Sequence, residues 1–261
     1  MMGYYDPVEL AKETEKVVVR GDLKKYYRLA RTSRWYGGIV EVHCCGCCLR
    51  CVFCWSGFPR DHPENIGQFY PPEKIFEELF KTAEKKGLRL VRITGNEPTL
   101  GWSHLLKVLE LVKWTDLIFI LETNGILIGK DPKLAKQLSS FRNLHVRISL
   151  KGASWEEFSM LTGATPESFD LQLKALEHLL EAGVEFNPAV MLSFSNPYSY
   201  RKLKHKLREI HRSLPDKIEE EYVILYPPVV DRLRKAGIKP KIAFKPMKPY
   251  NSKYYKPTDR L

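Results

Sequence analysis

A chain of 261 residues with a formal net charge of +11 and 44% apolar residues is long enough to bury a large core, as one α/β domain or two small ones. No apolar run reaches the length of a membrane span, and the first residues, MMGYYDPVELAKETEK, lack the apolar centre of a secretion signal, so a cytoplasmic location without membrane contact is expected. All six cysteines fall within residues 44–54, which in a reducing compartment argues for metal or redox chemistry over disulfides.

Residues 1–37 read as a short, basic, helical extension. GIVEVH (38–43) then begins an alternation of strands and helices. PPEKIFEELFKTAEKKG (71–87) opens on proline, repeats apolar residues at helical spacing and ends on glycine. Strands are expected at 88–94, 116–123, 143–150 and 184–192, with a sixth at EYVILY (core 222–226). The intervening helices fall at 103–114, 131–140, 154–161, 166–182 and 198–213, and the last at 227–237. Six βα units in order predict a parallel sheet with right-handed crossovers. That is too few for a closed eight-fold barrel, so the expected fold class is α/β, a partial (βα)6 parallel barrel over 38–238. Residues 239–261 follow as an irregular basic tail rich in Pro, Lys and Tyr.

In such folds chemistry sits in the loops after the carboxyl ends of strands. The unusual short sequences of this chain fall there: the cysteine loop, GNEP (95–98), TNG (123–125) and SLKG (149–152). Cys47, Cys51 and Cys54 have the spacing C-x3-C-x2-C, which lets one loop hold three corners of a [4Fe–4S] cubane and leaves the fourth iron without a protein ligand. Zinc is the alternative, because C-x2-C pairs can be drawn through Cys44/Cys47 and Cys45/Cys48. Zinc modules, however, place a second pair or histidines well downstream, and no cysteine follows residue 54. Cys44, Cys45 and Cys48 read as small buried residues beside the cluster, with a redox or hydrogen-donating thiol as the sharper alternative.

The cysteine spacing, with the aromatic Phe53 before the last cysteine, resembles the radical S-adenosylmethionine (SAM) superfamily. The resemblance implies that the SAM amino and carboxylate groups chelate the open iron and that the backbone at Phe53 contacts adenine. Gly95-Asn96-Glu97-Pro98 resembles the family's Gly-Gly-Glu-Pro turn, which binds the methionine ammonium group. Asn96 departs from the second glycine and reads as a variant that tolerates left-handed backbone angles. Thr123 and Asn124 would lie along the ribose and amino-acid moiety. Ser149 and Lys151, on one face of a strand, could reach a ribose hydroxyl and the carboxylate, and SLK resembles the Asp-x-Lys of glycyl-radical activating enzymes. The implied activity is reductive cleavage of SAM to methionine and a 5′-deoxyadenosyl radical, which abstracts hydrogen from a substrate. The cofactors are then a [4Fe–4S] cluster and SAM, and an external one-electron reductant of the ferredoxin or flavodoxin type is required.

The resemblance leaves the substrate open between a protein, as for glycyl-radical activases, and RNA or a nucleobase. CVFCW is similar to wybutosine-pathway enzymes, and TGNEP and ETNG are similar to deazaguanine-forming members. The other function classes are a non-catalytic iron–sulfur electron-transfer protein, which leaves GNEP, TNG and SLKG without a role, and a zinc-dependent RNA-binding protein. Arg20, Lys24, Lys25, Arg28, Arg31 and Arg34 before the first strand, with the Lys and Tyr of the tail, could clamp RNA. The alternative is a solvated surface of a heat-adapted chain.

Overall fold

The computed structural model describes residues 3–247. The chain runs α1 (Pro7–Val18), β1 (Val19–Arg20), β2 (Leu23–Ser33), β3 (Ile39–Cys44), α2 (Gly57–Asp61), β4 (Gln68–Tyr70) and α3 (Pro72–Lys86). It continues through β5 (Leu90–Thr94), α4 (Trp102–Val112), β6 (Ile118–Thr123), α5 (Ile126–Lys130), α6 (Pro132–Leu138), β7 (Leu144–Leu150), α7 (Trp155–Thr162) and α8 (Phe169–Glu181). The last elements are β8 (Phe186–Met191), α9 (Pro197–Ile210), β9 (Glu219–Glu221), β10 (Val223–Ile224), α10 (Pro227–Lys235) and β11 (Ala243–Phe244).

One sheet organises the molecule, in the order β1-β2-β3-β5-β6-β7-β8-β9, with β4 paired to β2. Strands β3, β5, β6, β7, β8 and β9 are parallel and follow one another in chain order, interrupted only by β4 on the far side of β2, the open (βα)6 arrangement expected. Alternation along each strand sorts the side chains. Val40, Val42, Val91, Ile93, Phe119, Leu121, Val146 and Ile148 form a buried layer with helix residues such as Ile75, Leu79, Leu105 and Leu176. The alternate positions, Glu41, Arg92, Glu122 and Arg147, line a cavity on the sheet's inner face. Helix ends follow local chemistry. α3 starts at Pro72 and stops where Gly87 turns left-handed (φ 62°), while Asn196 and Ser199 close a reciprocal cap at the start of α9.

Two expectations need correction. The extension before residue 38 is α-helical only over α1, with one further 3-10 turn at Trp35–Gly37. Most of what lies between is strand, and β2 runs antiparallel to β3, so the extension is continuous with the sheet. The run LKKYYRLARTS reads as a charged surface until the pairing is seen: Lys24 and Lys25 are both buried, and their ammonium groups bond to backbone carbonyls. Two of the six cations proposed to clamp RNA therefore serve inside the fold. The sixth parallel strand is β9, Glu219–Glu221, ahead of the apolar residues expected to form it. Glutamate is a poor strand former, but Glu219 and Glu221 ion-pair with Arg147, which overrides propensity. Val223 instead joins a satellite core with Leu161, Met191, Phe194, Val229 and Leu233, where β10 pairs with β11. The tail thus enters the fold at Ala243–Phe244, and its residues from 248 onward, including Tyr250, Tyr254 and Tyr255, lie outside the described residues.

Candidate functional site

A cavity of about 400 Å³ opens where β3, β5, β6 and β7 end, and it divides the six cysteines. Cys47, Cys51 and Cys54 line it, whereas Cys44, Cys45 and Cys48 are off its wall and fully buried. Cys44 continues the outward-facing row of Val40 and Val42 on β3. Cys45 Sγ meets the carbonyl of Ile66 at 3.7 Å, and Cys48 Sγ accepts from Asn124 Nδ2 at 3.2 Å. Burial pushes the Cys44 thiol up to about 11 and Cys45 to about 12, so both stay protonated and unreactive at neutral pH. Cys51 is likewise raised by burial to about 12, against the pull of Lys151 and Arg60, and its proton would leave on metal binding. The donor set facing the cavity is therefore three thiols of one loop at C-x3-C-x2-C spacing, which fits three corners of a [4Fe–4S] cluster.

The cysteine loop and GNEP interlock directly. Glu97 N donates to Gly46 O (2.9 Å), Gly46 N donates to Asn96 Oδ1 (3.1 Å), and Asn96 Nδ2 donates to Ser56 O (3.1 Å). Asn96 is not there for left-handed geometry: among the described residues only Tyr36 is a non-glycine with positive φ. Its side chain joins two loops, which a glycine could not do. Gly95 does take a left-handed angle (φ 96°), and a Cβ there would come within 3.0 Å of Tyr27 and 3.1 Å of His43.

Glu97, buried beneath the cavity floor, gathers four donors. Oε1 accepts from Thr99 N (3.1 Å), Thr99 Oγ1 (2.7 Å) and Thr123 Oγ1 (2.6 Å), and Oε2 from Asn124 N (2.9 Å). Oε2, with one donor against three on Oε1, is the oxygen with acceptor capacity to spare, and Glu97 is among the residues that line the cavity. Gln172 of α8, fully buried, joins the next two loops: Nε2 donates to Asn124 O and Ser149 O, and Oε1 accepts from Lys151 N. Lys151 Nζ donates to Ser149 Oγ, which in turn donates to Glu221 Oε2 (2.8 Å). Phe53 lines the cavity too, its ring centroid 5.8 Å from that of Phe194. Every residue that the sequence reading offers as a cluster or SAM ligand lines this one cavity except Pro98.

Sequence reasoning missed the charged wall deeper in the sheet. Arg92 bridges Glu41 and Glu122, and Arg147 donates to Glu219 (2.7 and 2.9 Å) and Glu221 (2.9 Å). The available signal was one charged residue at the inward position of four otherwise largely apolar strands, Glu41 on β3, Arg92 on β5, Glu122 on β6 and Arg147 on β7. Burial tends to raise the carboxyls of Glu41 and Glu221, but His43 and Arg92 for the first, and Arg147 and Lys151 for the second, outweigh it and hold both at about 2. A depressed folded pKa gives stability that is present above the unfolded value near 4.5 and lost as pH falls toward 2. Each carboxylate contributes on the order of 3 kcal/mol at most. Urea midpoints measured from pH 6 to pH 2.5 are expected to fall steeply below pH 4.5, and less steeply in Glu41→Gln. An unchanged slope in that variant would remove Glu41 from the account.

Fold and site together define an α/β protein with a thiol-lined cavity at the carboxyl ends of parallel strands. Comparison with known proteins gives the family: residues 42–197 match the model described as the Radical SAM superfamily, and the chain belongs to it. It is accordingly an enzyme of a family that uses a [4Fe–4S] cluster and SAM. One similar relative is the probable GTP 3',8-cyclase of Thermoplasma volcanium, 30% identical over 138 residues, covering 53% of this chain and 39% of the relative. The chain thus spans about two fifths of that relative's length. Among solved structures, Streptococcus suis SuiB bound to S-adenosylmethionine aligns with TM-score 0.52 at 18% identity, covering 77% of this chain and 48% of that one. A spore photoproduct lyase with bound AdoMet aligns at 0.53 and 16%, covering 86% and 64%. At these identities the structures speak for the fold alone. Among the described residues no helix is long and apolar enough to cross a membrane.

Proposed function

We propose that Cys47, Cys51 and Cys54 hold a [4Fe–4S] cluster and that SAM lies between this cluster and the loops after β5, β6 and β7. The observation that carries this reading is the partition of the cysteines: the three with cluster spacing share one cavity wall with Glu97, Thr123, Asn124, Ser149 and Lys151, and the other three do not. When bound and reduced by an external ferredoxin- or flavodoxin-type donor, the cluster supplies the electron that cleaves SAM to methionine and a 5′-deoxyadenosyl radical, which takes a hydrogen atom from the substrate. The chain's own work is positioning. Glu97 Oε2 accepts from the methionine ammonium, Lys151 faces its carboxylate, Ser149 and Thr123 lie toward the ribose, and the backbone at Phe53 toward adenine.

The substrate lies deeper, against Glu41, Arg92, Glu122, Arg147 and Glu219, beneath the exposed rings of Trp35 and Tyr36. A small, polar, ring-bearing molecule of the nucleobase type suits that lining better than a folded protein, and the name of the similar GTP 3',8-cyclase supports the same class. The test is to reconstitute the protein anaerobically, add dithionite and SAM, and follow 5′-deoxyadenosine and methionine by mass spectrometry. Equimolar formation of both is expected, and a protein that binds iron yet forms neither refutes the proposal.

A further inference from the structure

Lys24 of β2 is 0% exposed and aims its ammonium at the back of the loop that follows β5. Nζ donates to the carbonyl oxygens of Glu97 (3.1 Å), Pro98 (3.4 Å) and Leu100, so three carbonyls share its three N–H bonds. No carboxylate is among these partners. Burial disfavours the charged form and pulls the ammonium below the ordinary lysine value. Burying a cation without a carboxylate partner costs free energy that its hydrogen bonds to carbonyls offset only in part.

The held object is a single loop. Glu15 Oε1 of α1 accepts from Gly101 N at 2.7 Å, and a Cβ on Gly101 would come within 2.8 Å of Val19. Residues 97–101 therefore sit in a socket built from residues 15–24, all of them before the segment that matches the family. The front of the same loop carries the Glu97 carboxylate and its four donors. The neighbouring Lys25 points to the other side of the strand, where Nζ donates to the carbonyls of Pro63 (2.6 Å) and Glu64 (3.0 Å).

We infer that Lys24 is a positioning residue for SAM: by fixing the back of the 97–101 loop it sets where Glu97 meets the methionine ammonium group. This rests on the reading of the site proposed above. Lys25 is the matched control, a buried ammonium on the same strand, 8% exposed, that braces a different loop.

The experiment is equilibrium dialysis of labelled SAM against anaerobically reconstituted wild type, Lys24→Met and Lys25→Met, with iron counted in each. In Lys24→Met the dissociation constant is expected to rise at least tenfold at wild-type iron content, and 5′-deoxyadenosine formation to recover to within threefold at saturating SAM. In Lys25→Met the dissociation constant is expected to stay within twofold of wild type. Lys24→Gln, which keeps an amide donor, is expected to fall between wild type and Lys24→Met. A Lys24→Met affinity within twofold of wild type overturns the inference, and so does equal weakening in Lys25→Met, which would mark a general loss of stability. If neither Lys24 variant takes up iron, Lys24 is a folding determinant and the inference falls. A wild type that binds no SAM overturns this inference and the proposed function together, whereas loss confined to the Lys24 result leaves the proposed function standing.

Discussion

Replacing Cys47, Cys51 or Cys54 with alanine is expected to reduce bound iron from about four per chain to near zero. The effect is large because, in the proposed assignment, the cluster would have three protein ligands and no spare: with one removed, two thiols cannot hold a cubane against loss of iron. Cys44, Cys45 and Cys48 line no part of the cavity, so their alanine variants should keep the iron and its visible absorption. They should instead unfold at slightly lower temperature, since each leaves a small void in a packed interior. Cys48→Ala also removes the sulfur that accepts from Asn124, and its stability loss should be the greatest of the three. Iron and sulfide assays on six single variants decide the matter. Loss of iron from Cys45→Ala equal to that from Cys51→Ala would mean that the wrong triad has been assigned.

Glu97→Gln is expected to weaken SAM binding about ten- to a hundred-fold, the cost of one charge-assisted hydrogen bond of roughly 1.5–3 kcal/mol. Two losses coincide. The neutral amide attracts an ammonium less, and one carboxylate oxygen becomes an N–H donor within a ring of donors from Thr99, Thr123 and Asn124. Placing the amide nitrogen at Oε2 sets it against Asn124 N–H, and placing it at Oε1 sets it against three donors. Cluster absorption should remain, because the contact of this loop with the cysteine loop runs through Glu97 N and Gly46 O, which the substitution leaves alone. Isothermal titration of the reconstituted variant with SAM measures the effect. Affinity equal to wild type would take Glu97 out of the binding site.

The expected strands at 38–43, 88–94, 116–123, 143–150 and 184–192 correspond to β3, β5, β6, β7 and β8 because each carries an apolar row that a helix layer must cover. The loops were legible for a different reason. Cys47, Glu97, Asn124 and Lys151 stand at strand ends, where a topology of parallel strands brings them together whatever their distance in sequence. What could not be read depends on partners far away along the chain. Three consecutive glutamates look like a solvated turn until Arg147, 72 residues from Glu219, supplies the opposite charge. Lys24 looks like surface until the carbonyls of Glu97 and Leu100 are seen above it. Asn96 reads as a left-handed variant of the second glycine, but its contribution is made by a side chain whose partners, Gly46 and Ser56, lie on another loop.

The order of strands in the sheet also bears on how freely this unit could be transplanted. Residues 42–197 begin partway along β3 and end at the start of α9, so they include neither β2, which flanks β3, nor β9, which flanks β8. A fragment cut at those limits would expose a backbone edge on both sides, and bare sheet edges invite pairing with other chains. It would also leave Arg147 buried without Glu219 and Glu221, and the 97–101 loop without its socket. The recognisable unit is therefore not an autonomous module, and grafts or truncations intended to keep it soluble need to carry α1 to β9 with it, and also Val223, Val229 and Leu233, which complete the satellite core.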